Sequence, residues 1–553
     1  MRATITRAVA CAAAAALALT ACSGGGDGGG GGGGGDGEVP PLTIHANSAN
    51  SYQENFNPFS STVLIGTRGF IYEPLFVSTP MVDEPEPWLA MEGEFNDDGT
   101  AITYTLREGV TWSDGEAFDA DDVAFTFNLF VEQPATNLSA LDVTSAEAID
   151  PTTVEITFGE SMFAFERAIG NTVIIPEHIW SEVEDPLEFT NAEPVGTGPF
   201  VVGSFDQQLY TLAKNDSYWA ADEIEVEEIR YPANTEQTFT TKLQGGELDW
   251  SGGFVANIDE IFVNGDPEHR GYWYPGGGLV SLTVNNEQAP FDDPALREAL
   301  SLGMDRNQIS EVAMQGYTPP AHPTGLPLPA YETSLDPALA DAAFSYDVDA
   351  ANALLDEAGY TMGSDGIRTT PAGDPMSYTL EIPSDWADWV TISQLLEEQY
   401  AKIGIQVSPQ GISFESWVET RNAGSFEMTL SSVAIGQTPF DVYRAMMSSE
   451  YRSADGGSVN QNFSRFYDDD ADAALNAYAS SNDPEEQQQA LADLQQIVVD
   501  EMPVVPMIQA PNWYQYNTIR WEGFPNEDNP YALGAPFQTP DMLLVVRNLT
   551  PAG

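Results

Sequence analysis

Residues 102–127 read ITYTLREGVTWSDGEAFDADDVAFTF, and three kinds of local structure follow one another within them. Ile102-Thr103-Tyr104-Thr105-Leu106 alternates apolar and polar side chains, the period of a half-buried strand. Trp112-Ser113-Asp114-Gly115 predicts a tight turn, with glycine free to take positive φ. Asp119 is placed to cap a helix whose first turn carries Asp121 and Asp122, ahead of the apolar run at 123–130. Acids there face the positive end of the helix. Strand, turn and helix in such short succession indicate a layered α/β fold.

The alternation continues outward. Residues 153–158 read as a second half-buried strand. Asp293-Pro294 is a cap followed by proline at the first helical position, leading into 295–300. Asp347 opens a helix that stops at Gly359, and Asp483-Pro484 opens another that runs toward Glu501 and is broken by Pro503. Strands at 378–382 and 405–407 are interleaved with these helices, and no tandem repeat is present.

The first 38 residues follow different rules. Arg2 and Arg7 precede an apolar stretch at 8–19, too short for a permanent span of roughly 20 residues. Small residues then lead to Cys22, the pattern of an export signal at 1–21. Leu19-Thr20-Ala21-Cys22 resembles the lipobox of bacterial lipoproteins, which implies that Cys22 is acylated. Cys11, the only other cysteine, lies within the segment to be removed, so no disulfide is expected. Residues 22–38 are nearly all glycine and make a flexible tether of roughly 20 Å. The expectation is an exported chain held by lipid at the outer face of the cytoplasmic membrane.

The 553 residues carry 85 acidic and 19 basic side chains, a formal net charge of −66. Lysine occurs only at Lys214, Lys242 and Lys402. Such a field repels polyanions, so nucleic acid is not an expected partner. The acids are scattered, which predicts a solvated acidic surface and suggests a salt-rich or alkaline habitat. The roughly 515 residues beyond position 38 exceed one core and imply two or three domains.

Several landmarks then recur in a fixed order. They are Asn57-Pro58-Phe59, Tyr72-Glu73-Pro74-Leu75, the 102–127 stretch, Gly196-Thr197-Gly198-Pro199-Phe200 and the run from Lys214 to Trp219. PFDDPALREAL at 290–300, Ala358-Gly359-Tyr360, Ile403-Gly404-Ile405 and Met502-Pro503-Val504-Val505-Pro506 follow. Together they resemble the family 5 solute-binding proteins of ABC importers, the peptide, nickel and oligosaccharide receptors. The resemblance implies an α/β, two-lobed periplasmic-binding-protein-like fold (type II, cluster C) with an extra subdomain in the first lobe. Residues 39–85, 193–283 and 512–553 would form lobe I, 86–192 its extra subdomain, and 284–511 lobe II. It further implies a monomer that encloses its solute between hinged lobes and hands it to permease subunits. The motifs themselves read as scaffold, Trp112 and Trp219 included. No helix follows the glycines at 196–198 to cradle a phosphate.

Peptide receptors of this family use an acid to pair with the terminal ammonium. Aligned on Pro439, its place here is taken by Ile435. A buried ammonium without a charged partner is costly, which counts against peptides with a free amino terminus. The segment 512–532, with Trp513, is similar to the oligosaccharide branch. Sugars need flat aromatic faces and uncharged hydrogen-bonding groups. Trp250, Trp273, Trp386, Trp389 and Trp513 are the aromatic candidates, and Asn285, Asn286 and Gln437 the polar ones. Trp386 and Trp389 follow a strand, where open α/β sheets place ligands. An oligopeptide receptor is the alternative, and an exported glycoside hydrolase a more distant one. The scattered His45, His178, His269 and His322 offer no zinc spacing, and 468–472 lacks the glycine of a calcium loop. No cofactor is expected.

Overall fold

The cap and turn chemistry of 102–127 is realised as written. In the computed structural model, strand Ala101–Leu106 leads through the Trp112 turn to helix Ala120–Glu132. The Asp119 side chain accepts from the Asp121 amide, and Asp122 bonds back to the cap residue. Asp122 also accepts from Trp112 Nε1 at 2.9 Å and from the Glu177 amide at 2.9 Å, fixing turn, helix and a distant segment together. Trp112 is thereby fully buried. The structure describes residues 39–553 apart from 48, 83, 454 and 455. The signal, Cys22 and the tether lie outside the described residues.

Three sheets organise the chain. Four antiparallel strands, Ala90–Phe95, Ala101–Leu106, Thr153–Phe158 and Val143–Asp150, carry helix Ala120–Glu132 and make up the extra subdomain. A seven-stranded sheet runs in the order Arg270–Tyr272, Gln515–Asn517, Trp250–Ser251, Leu42–His45, Glu228–Pro232, Leu209–Lys214, Phe200–Asp206. Leu42–His45 lies parallel to both of its neighbours. The five-stranded sheet of the second lobe runs Gln406–Ile412, Ser377–Pro383, Met428–Ala434, Gly276–Val284, Val505–Pro511. Its core is built from Leu282, Leu296, Leu300, Ile392, Leu396 and Leu430.

Two strands pass from one large sheet to the other. Arg270–Tyr272 continues into Gly276–Val284, and Val505–Pro511 continues into Gln515–Asn517. Between the sheets the crossings stay paired: Trp273 N–H donates to the Tyr514 carbonyl at 3.1 Å and Asn512 N–H to the Pro275 carbonyl at 2.9 Å. This two-stranded ribbon, the hinge ribbon, joins the two lobes. The lobe boundary expected at 283/284 is therefore corrected: Gly276–Val284 is hydrogen-bonded along its whole length into the second sheet, and the change comes at 273–275. Gly278 takes φ +147°, where a Cβ would sit 2.2 Å from the Val433 carbonyl oxygen, so only glycine fits this strand pair.

The other landmarks are scaffold as well. A Cβ at Gly196 would lie 1.9 Å from the Ile71 carbonyl oxygen, so this loop packs backbone against backbone beside Tyr72–Leu75. Buried Glu73 accepts from Trp88 Nε1 and Trp219 Nε1, joining two motifs distant in sequence.

Candidate ligand cleft

Strand direction decides which edge of the second sheet faces the first lobe. Gly276, the hinge end of its strand, lies next to the carboxyl end of Met428–Ala434, since Gly278 pairs with Ala434. Ser377–Pro383 and Gln406–Ile412 run parallel to Met428–Ala434, so their carboxyl ends reach the same edge. The loops that begin at Ser384, Ser413 and Ile435 therefore line the interlobe side, where ligands of open α/β sheets sit.

The Ile435 loop is held rigidly. Ile435 N–H donates to the Gly277 carbonyl at 3.1 Å, and Tyr331 Oη donates to the Ile435 carbonyl at 3.1 Å. Asp441 Oδ2 accepts from the Gln437 and Thr438 amides at 2.8 and 2.9 Å and from Thr438 Oγ1 at 3.1 Å. Burial pushes the Asp441 carboxyl above its ordinary range, while these bonds oppose the shift. The turn presents the Gln437 side chain to a cavity of about 280 Å³ at the junction of both lobes and the extra subdomain. Its wall includes Phe59 and Arg68 from the first lobe, Phe130, Asn171 and Thr172 from the subdomain, and Thr539 near the chain's end. Gln437 Oε1 is buried without a hydrogen-bond partner.

Trp386 stands at the outer part of the same edge, about two strand spacings from the hinge strand, or roughly 10 Å. It is 37% exposed and neighbours Phe414, 50% exposed, with centroids 5.7 Å apart and planes at 34°. Trp389 and Trp417 meet Trp386 from within the lobe, at 4.6 and 5.7 Å. Trp389 is only 5% exposed and belongs to the core, so it supports the platform instead of forming its face.

The remaining candidates fall elsewhere. Trp250 is corrected to a packing residue: it is wholly buried in the first sheet, and its Nε1 donates to the Gly534 carbonyl at 2.6 Å, leaving no face for a solute. Trp273 and Trp513 sit in the hinge ribbon, both half-buried, with Trp513 edge-on to Tyr274 at 4.7 Å and tilted against Phe254 at 5.1 Å. Asn285 and Asn286 follow the far end of the hinge strand, away from the interlobe edge. Asn285 donates to the Gly424 carbonyl, and Asn286 to those of Ser464 and Pro503, so both are scaffold. The sequence reading passed over Arg68, Asn171 and Phe414. The available signals were an arginine in an acid-rich chain four residues before Tyr72 and an aromatic two residues after the strand Gln406–Ile412. Among the described residues no helix is long and apolar enough to cross a membrane, and no cluster of His, Cys, Asp and Glu could hold a metal.

Two sheets joined by a paired hinge ribbon, with a cavity between them, define a two-lobed periplasmic-binding-protein-like fold of type II. The sequence profile of the bacterial extracellular solute-binding proteins, family 5 (middle), matches residues 84–455, and the chain belongs to that family. It is 28% identical over 437 residues to Protein XP55 of Streptomyces lividans, covering 77% of this chain and 76% of the relative. It is 26% identical over 435 residues to the glutathione-binding protein GsiB of Salmonella paratyphi A, covering 75% and 78%. The periplasmic oligopeptide-binding protein of a Thermotoga maritima oligopeptide ABC transporter superposes with a TM-score of 0.85 at 26% identity, covering 92% and 99%. The mannohexaose-bound form of that protein gives 0.80 at 27%, covering 92% and 98%. GsiB and the Thermotoga protein are both named as binding proteins.

Proposed function

We propose that this solute-binding protein captures an oligosaccharide between its lobes and delivers it to an ABC permease as a lipid-anchored monomer. The observation that carries the reading is the interlobe edge itself. It presents an exposed aromatic pair, Trp386 and Phe414, and an uncharged amide, Gln437, where peptide receptors of the family place an acid near Ile435. Aromatic faces suit the C–H surfaces of sugar rings, and an amide suits their hydroxyls. The mannohexaose complex of the Thermotoga relative supports the choice. A hydrolase using paired carboxylates finds none on the wall of the cavity among the described residues. Calorimetry with oligosaccharides and free-ended peptides tests the proposal: sugars bind in the micromolar range or tighter, and tight binding by peptides alone overturns it.

The oligopeptide reading stands second, because relatives named for glutathione and oligopeptides are among the chain's matches. Anchoring rests on Leu19-Thr20-Ala21-Cys22. Cys22→Ser should release the protein or leave it unprocessed, and unchanged membrane retention contradicts the anchor.

A further inference from the structure

The interlobe cavity differs in charge from the molecule around it. The chain has more than four acids for every basic residue, yet among the described residues no Asp or Glu lines this cavity, and Arg68 is the one charged side chain on its wall. Each of four other cavities carries a carboxylate: Asp305 in one, Glu160, Glu450 and Asp472 in a second, Glu84 and Glu166 among those of a third, Asp121 among those of a fourth.

Arg68 is pinned but not neutralised. Its Nε donates to the Pro58 carbonyl at 2.6 Å and Nη2 to the Ser60 carbonyl at 3.2 Å, so two backbone oxygens orient the guanidinium. Among the described residues no carboxylate lies within ion-pair range of it, and Nη1 has no hydrogen-bond partner. Burial alone lowers its pKa, with no acid nearby to raise it. The Gln437 amide on the opposite lobe likewise makes no side-chain hydrogen bond among the described residues, and its Oε1 is buried. A half-buried guanidinium without a counter-ion favours an anion, and its planar fork fits a carboxylate. The nearest acid, Asp441 behind the Gln437 turn, is engaged by the Gln437 and Thr438 amides and by Thr438 Oγ1. Exposed acids beyond about 8 Å are screened at physiological salt, so Arg68 is the charge that faces a solute from the cavity wall.

Resting on the reading of this cavity as the solute site, we propose that Arg68 and Gln437 form a selectivity pair for a solute bearing a carboxylate beside a hydroxyl or amide. Arg68 takes the carboxylate from the first lobe, and Gln437 takes the neighbouring polar group from the second. Such a group occurs in a uronic-acid oligosaccharide and at the carboxyl terminus of a peptide.

Calorimetry on the full-length protein separates the two sources. The probes are di- and trigalacturonate with their methyl esters, and a tetrapeptide with its C-terminal amide. Esterification or amidation removes the charge and keeps the shape. We expect at least one acid form to bind about tenfold or more tighter than its neutral partner, the scale of a charge-assisted hydrogen bond. Discrimination within the galacturonate pairs assigns the sugar source, and discrimination within the peptide pair the peptide source. Arg68→Gln should abolish the preference, Arg68→Lys should keep part of it, and Gln437→Leu should weaken acid and neutral forms alike. Equal affinities within both pairs, no carboxylate probe binding at millimolar concentration, or a preference that survives Arg68→Gln overturns the pair. Thermal melts check that each variant folds. Filling the cavity with Ala168→Phe tests the underlying site separately: undiminished binding of every probe shows that the solute sits elsewhere.

Discussion

The backbone N–H of Asn257 donates to Gln315 Oε1 at 2.8 Å, a bond between the two lobes made by two residues that both hold left-handed backbone. Asn257 has φ 54° and Gln315 φ 56°. Asparagine visits this region readily, but glutamine does so only where its surroundings hold it. Beside the bond, Tyr317 of the second lobe meets Tyr272 and Tyr274 edge-on, each at 5.7 Å. The strut thus ties the lobes next to the hinge ribbon. Gln315→Gly relieves the backbone and removes the bond, so any loss of closure is separated from strain. Solution scattering of the variant should show a larger radius than the parent, and solute affinity should fall about threefold, the effect of roughly 0.6 kcal/mol against closure. An unchanged radius and affinity rejects the strut.

The aromatic platform predicts opposite behaviour for neighbouring tryptophans. Trp386→Ala removes a ring that is 37% exposed, so stability should change little while oligosaccharide binding weakens by roughly 1–3 kcal/mol. Trp389→Ala opens a hole in the second lobe's core and should destabilise by roughly 3–5 kcal/mol, with binding lost only as far as the platform collapses. Denaturant melts and calorimetry on both variants read these terms apart. Equal stability losses for the two would show that Trp386 is a packing residue.

Local chemistry made much of the fold legible. Asp119, Asp293, Asp347 and Asp483 each cap the helix expected to follow, because a cap bonds its own first turn. The hinge was not legible at its true place. Period-2 alternation identifies Gly276–Val284 as a strand but cannot say which sheet it joins; that depends on partners near positions 430 and 508. Trp250 resembles a cleft tryptophan in sequence. Its burial is decided by the Gly534 carbonyl, 284 residues away. Arg68 escaped for the same reason: the absence of acids around it is a property of the folded cavity and not of its neighbours in the chain.

Buried acids give a pH dependence with a definite sign. Burial pushes Glu73 up to about 7 and both Asp249 and Asp541 up to about 6. In the unfolded chain these carboxyls titrate near 4. The folded state therefore holds protons that the unfolded chain has released. Their stabilising contribution is complete below about pH 4 and is lost as pH rises through 6 to 7. His45 acts in the opposite direction, since burial lowers it to about 4 and the unfolded chain gains its proton below about 6.5. His322 is lowered by burial as well, and Asp122 and Asp441 are raised by it. The acids outnumber the histidines, so the unfolding midpoint should be higher at pH 5.5 than at pH 8. Glu73→Gln should flatten the upper part of that slope. A midpoint that rises toward pH 8 contradicts the assignment.

The charge of −66 predicts a stability that grows with salt. Scattered like charges repel one another in the compact state, and the Debye length falls from about 30 Å at 0.01 M salt to about 3 Å at 1 M. Attractive pairs lose less over the same range where they are sheltered. Arg520 meets Asp249 at 2.7 Å with the carboxylate 1% exposed, and buried Arg297 reaches the Glu501 carboxylate at 3.7 Å. Screening should therefore relieve repulsion faster than it weakens attraction. The unfolding midpoint should climb steadily between about 0.01 and 1 M sodium chloride, with most of the gain in the lower half of the range, where the Debye length shrinks below the spacing of surface acids. Sodium sulfate also acts by exclusion from apolar surface, so it is compared at equal ionic strength. A chloride series without effect and a sulfate series with one would assign the gain to burial instead of charge, and would remove the argument for a saline habitat.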